Sequence, residues 1–81
     1  MISCHEYDYI EIACMYRYEV KVCMVDNTEI TGIALDTTRN EKKQECLKLN
    51  IKEETKLIVL DRVASLTALT KNPHFETVRF S

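Results

Sequence analysis

Four cysteines and two histidines are the side chains of this 81-residue sequence best suited to nucleophilic or metal chemistry, and their spacing favours neither. Cys4, Cys14, Cys23 and Cys46 stand 10, 9 and 23 residues apart, and His5 and His74 lie at opposite ends of the chain. A structural zinc site draws on closely paired Cys and His ligands, and no C-x-x-C pair is present. Four cysteines in a short secreted chain would imply a disulfide framework, but nothing in the sequence points to secretion. Reduced thiols that mostly fill the core are expected instead, because free Cys behaves as a small hydrophobe. The familiar catalytic templates are missing: there is no G-x-S-x-G, H-E-x-x-H, P-loop or dinucleotide fingerprint. A Cys–His nucleophile would need Cys4 beside His5 or His74 and an oxyanion site, and adjacent residues of an extended tail point apart. Acid pairs are abundant, but general acid/base catalysis needs them buried in a cleft, for which a small core leaves little room. Neither an enzyme nor a cofactor or metal is expected.

Recognition is the chemistry that remains. Tyr7, Tyr9, Tyr16 and Tyr18 could stack on nucleobases, yet they are interleaved with Glu6, Asp8, Glu11 and Glu19 rather than with bases. Two or three of these rings are expected to bury where helix meets sheet, leaving Tyr7 as the interface anchor. Residues 1–36 carry seven acids and two bases, a balance of -5, whereas residues 37–81 carry six acids and nine bases, a balance of +3. The acidic half repels phosphate backbones and suits a basic protein partner, or simply a solvated surface. Asp36 reads as a structural hydrogen-bonding acid or as part of an RNA pocket.

The elements that must position these groups read as one short helix followed by strands. Ile10, Ala13, Cys14 and Arg17 fall at i, i+3, i+4 and i+7, one stripe of a helix over about 8–16, with Asp8 and Glu11 on another side. Asp8 and Glu11 also match a capping-box variant, with Asp8 as N-cap. From residue 18 the period becomes two, through Val20, Val22 and Met24. Further strands are expected over 29–35, Glu45–Ile51, 56–60, 63–69 and 76–80, with turns at 26–28, 52–54 and 72–73 and a polar loop at 37–43. The lone Gly32 marks a bend or bulge where no side chain fits.

Short strands joined by tight turns imply a mainly β fold: a small Sm-like bent antiparallel sheet, barrel or sandwich, with one N-terminal α-helix. A single domain over 1–81 is expected, since no repeat or Pro/Gly/Ser-rich linker divides the chain. With 46% hydrophobic and 30% charged residues the composition is that of a soluble globular protein. No apolar run is long enough to span a membrane. The opening Met1 to Glu6 lacks the basic start and apolar run of a signal peptide, which makes the cytoplasm the expected compartment.

The run from Cys4 to Cys14, CHEYDYIEIAC, resembles the opening segment of the Rof (YaeO) family of Rho-binding antiterminators. That family reads Cys, an acidic pair, Tyr-Asp, an apolar-Glu-apolar run and Ala-Cys. The likeness continues through the strand at 20–25, the turn at 26–28 and Leu57 to Val63, LIVLDRV, and spans nearly the whole chain. His5 stands where the family commonly has an acid, and the loop around Arg39 differs in length and sequence. The resemblance implies a cytoplasmic bacterial protein that binds the N-terminal OB-fold domain of transcription termination factor Rho. It would inhibit termination by blocking RNA loading at the primary site. It further implies Tyr7, Asp8 and Glu11 as principal contacts, Glu6 as support, and Arg39, Asn40 and Lys42 as a second group. A monomer when free, without direct nucleic-acid or membrane binding, goes with this reading. The alternative is an Sm-like oligomeric RNA-binding protein, although Asp61-Arg62-Val63 lacks the Arg-Gly or Lys-Gly step usual before the last Sm strand. A third reading is an interaction module for some other basic partner.

Overall fold

The computed structural model describes residues 4–80. The N-terminal stretch read for a targeting signal lies partly outside them, in residues 1–3. The elements are α1 (Cys4–Met15), β1 (Glu19–Met24), β2 (Glu29–Arg39), β3 (Glu45–Ile51), β4 (Glu54–Val59), a 3-10 turn (Leu60–Arg62), β5 (Val63–Ala68) and β6 (Thr77–Arg79). The six strands form one antiparallel sheet in the order β4-β3-β2-β1-β5-β6. It stays open, with β4 and β6 as edges. The expected mainly β architecture with one N-terminal helix is what the chain adopts.

Alternating hydrophobicity decides which face of each strand turns inward. Val20 and Val22 of β1, Ala34 of β2, Leu47 and Leu49 of β3 and Leu66 of β5 are all buried, and Ile10, Ala13 and Cys14 of α1 pack on them. α1 makes its strand contacts chiefly with β2. Gly32 lies where β3 approaches most closely. A Cβ there would come within 2.8 Å of the Asn50 carbonyl oxygen and 2.9 Å of Ile51 Cγ1. The absence of a side chain at Gly32 is therefore a packing requirement, as expected, while the bulge itself falls just beyond, between Ala34 and Asp36.

Strand ends shift by one or two residues from the sequence reading, β4 for instance starting at Glu54, and three larger differences bear on the site. The helix begins at Cys4, four residues before Asp8, so Asp8 and Glu11 sit inside the helix and form no capping box. Ring contacts stabilise this added first turn: His5 meets Tyr9 edge-on at 5.5 Å, and Tyr9 meets Phe75 at 5.4 Å. At its other end the helix stops at Met15, and Arg17 takes φ 55°, the left-handed residue of a Schellman motif. There the Tyr18 amide donates to the Ala13 carbonyl at 2.9 Å and the Arg17 amide to that of Cys14 at 3.3 Å. Arg17 is thus exposed at the helix end instead of extending the buried stripe. The third difference is in β2, which continues to Arg39 because Thr37, Thr38 and Arg39 pair with Leu47, Cys46 and Glu45. The polar loop shrinks to residues 40–44.

Candidate functional site

The buried stripe of α1 leaves an opposite face on which Cys4, Asp8, Glu11 and Met15 are all exposed. They stand at i, i+4, i+7 and i+11, one row along the helix. The helix contains three acids and neither lysine nor arginine, so its formal charge is negative. Among the sequence candidates, Asp8 and Glu11 fall together on this row and Glu6 is half-buried. Tyr7 is also half-buried, its ring packed against the core, so it presents less of itself to a partner than the sequence suggested. Tyr16 is the outward tyrosine, 55% exposed, stacked between Tyr18 at 5.7 Å and His74 at 5.5 Å.

Glu11 also lines a cleft of about 400 Å³ between α1 and β2, together with Cys14, Met15, Arg17, Leu35, Asp36 and Thr37. Its electrostatics register in the buried thiol of Cys14, which is pushed up to about 11. Burial is the main cause, the Asp36 carboxylate adds to it, Arg17 partly offsets it, and Glu11 raises it further. Arg17 is held in place by donation from its guanidinium to the Leu35 carbonyl, and Asp36 Oδ1 accepts from the Thr37 amide at 2.8 Å. Asp36 thereby joins the acidic surface. The sequence showed this residue only as a structural acid or an RNA-pocket acid, because its cleft neighbours Glu11, Cys14 and Met15 come from a distant segment of the chain.

The second group of candidates converges as well. Arg39, Asn40 and Lys42 line a cleft of about 480 Å³ with Glu41, Gln44 and Leu57. Leu57 arrives from β4, which local sequence around the loop could not reveal. Asn40 organises the turn: its Oδ1 accepts from the amides of Lys42 at 2.9 Å and Gln44 at 3.0 Å, and its Nδ2 donates to Gln44 Oε1 at 2.9 Å. Arg39 faces Glu45 across the hairpin at 3.7 Å, both side chains well exposed, a pairing that contributes little. Thr37 of the first cleft and Arg39 of the second are two residues apart on β2 and so share a face of that strand. The acidic helix row and the basic loop are therefore neighbours along one strand.

Two of the four cysteines, Cys14 and Cys46, fill the core, whereas Cys4 is exposed and Cys23 is half-buried. Among the described residues no three His, Cys, Asp or Glu side chains converge as a metal cluster. No helix among them is long and apolar enough to cross a membrane.

An open β-sheet carrying one acidic helix, with charged side chains gathered on an outer surface, makes this a small, mainly β protein whose chemistry lies on its surface. The chain belongs to the ROF family, modulators of Rho-dependent transcription termination, whose family model matches residues 1–80. It is similar to a solved structure described as YaeO bound to magnesium from Vibrio cholerae O395. The two are 44% identical over 93% of this chain and 97% of that one, with a TM-score of 0.88. No curated protein matches the chain.

Proposed function

We propose that the chain acts by docking on the N-terminal, RNA-binding OB-fold domain of Rho and competing with RNA for the primary site. Membership of a family that modulates Rho-dependent termination supplies the partner. The observation that carries the mechanism is the exposed pair Asp8 and Glu11, one helical turn apart on a helix without lysine or arginine. A groove that binds RNA phosphates is basic, so a fixed row of carboxylates can occupy it, and opposite potentials speed the encounter. Asp8 and Glu11 make the principal contacts, Tyr7 contributes the exposed part of its ring, and Glu6 supports them. Arg39, Asn40 and Lys42 form a flanking contact, set beside the helix row by β2. In this reading the free chain is a monomer in the bacterial cytoplasm, and it acts by occlusion, with no catalysis and no metal.

Competition tests the proposal. Labelled C-rich single-stranded RNA bound to Rho is titrated with the wild-type chain and with Asp8→Lys/Glu11→Lys, its fold checked by circular dichroism. The wild type should displace RNA, and the folded variant should need at least tenfold more protein, a difference that shrinks as salt rises. A wild-type chain that does not bind Rho would end this reading. Equal displacement by the folded variant would remove the helix row from the interface.

A further inference from the structure

The two edges of the sheet are finished very differently. Among the described residues β4 pairs with β3 alone, whereas β5 would be the opposite edge were it not covered by the three residues of β6. The sequence of β5, VASLTA, has no charged residue and no proline. An uncharged, half-apolar strand of this kind is the edge that folded proteins keep covered, since unpaired amides and carbonyls on it recruit other strands. Its cover is precise. The Ala68 amide donates to the Glu76 carbonyl at 2.7 Å, the Phe80 amide donates to the Ala64 carbonyl at 2.9 Å, and Leu66 pairs with Val78 between them. The Thr67 and Thr77 hydroxyls add a contact at 3.1 Å. The cover is also slight, with Thr77 and Arg79 exposed and Val78 half-buried. It is anchored by Phe75 and Phe80 against the core and by Asn72, whose Oδ1 accepts from the amides of His74 and Phe75.

We propose that β6 is a cap that prevents the chain from pairing with a second copy of itself. With β6 lifted, the β5 edge accepts the free β4 edge of another molecule and continues the sheet from chain to chain. The occupant follows from the topology. The two edges lie at opposite ends of one sheet, each six residues long, and β5 brings no charge to oppose Glu54 or Lys56 of β4. Such a head-to-tail contact joins unlike surfaces, so it builds closed rings or open filaments rather than a two-fold dimer. The inference concerns the chain alone and is independent of the Rho reading. It gives a structural reason for a monomer in a fold whose alternative reading was an oligomer.

The test uses full-length chains and solution mass over a range of concentrations. The wild type should remain at 9.5 kDa. Val78→Pro removes a donor from β6 and sets a ring against β5, and should produce species of at least twice that mass whose share grows with concentration. Release of β6 is read separately, as lost exchange protection at the Phe80 amide. Adding Leu57→Pro should restore the single-chain mass. The two-residue turn at Lys52 and Glu53 makes Ile51–Glu54 and Leu49–Lys56 the bonded pairs of the hairpin, so the Leu57 amide faces away from β3. Should Val78→Pro lose the tyrosine near-ultraviolet signal of the folded core, Val78→Gly provides the gentler release. A wild-type chain that associates, an unprotected Phe80 amide with the mass unchanged, or association that survives Leu57→Pro would each overturn the proposal.

Discussion

α1 and the 40–44 loop both offer charged side chains to a partner, but they are held by opposite means. The helix is positioned by packing: Ile10 and Ala13, each 1% exposed, fix its inner face, and Asp8 and Glu11 lie exposed away from it. The loop is positioned by hydrogen bonds that converge on one side chain, that of Asn40. On the helix, residues that position and residues that face outward are therefore different residues. In the loop they partly coincide, so a loss of binding on changing Asn40 would report on loop geometry as much as on contact.

Packing carries the larger effect. Ile10→Ala should destabilise the chain by about 2–5 kcal/mol, the usual range for removing a buried aliphatic side chain from a core that only partly collapses. Chemical unfolding checks this, and a cost below about 1 kcal/mol would show that α1 is not held by its inner face. Asn40→Ala should cost less, about 1–2 kcal/mol, because it removes hydrogen bonds near the surface rather than core volume. Lys42→Ala should leave stability unchanged within about 0.5 kcal/mol, as surface substitutions usually do. If the two loop variants proved equal in stability, Asn40 would be a contact residue like its neighbour and the contrast with the helix would fall.

The same contrast explains what the sequence disclosed. The strands and the inward face of α1 were legible because alternation and helical spacing are local patterns, and the acids Asp8 and Glu11 were visible on the other side of that pattern. The helix start at Cys4 was not, because its first turn is secured by Tyr9 on Phe75, a contact from the far end of the chain. The extension of β2 through Thr37, Thr38 and Arg39 was equally hidden, since polar residues in an exposed hairpin have no period and only pairing with β3 reveals them. Asp36 meets α1 and Leu57 meets the 40–44 loop in the two clefts, and contacts between distant segments leave no local signal.

A pH-dependent effect separates the two thiols of the helix, the exposed one at Cys4 and the buried one at Cys14. Burial, aided by Asp36 and Glu11, lifts the Cys14 thiol from an ordinary 9.0 to about 11 in the folded chain. Well below pH 9 both folded and unfolded chains keep this thiol neutral, and its packing contributes fully to stability. As pH rises from 9 toward 11, the unfolded chain loses the proton first, so the folded state loses that advantage progressively. Urea unfolding of the wild type and of Cys14→Ala, followed from pH 7.5 to 10, should therefore converge as pH rises, with no change in their difference below pH 8.5. Tyr18 is also raised above its ordinary 10.0 by burial, but it is common to both chains and cancels in the comparison. Parallel curves throughout would mean that Cys14 ionises as freely in the folded chain as in the unfolded one, and that the helix seals its inner face less tightly than its packing implies.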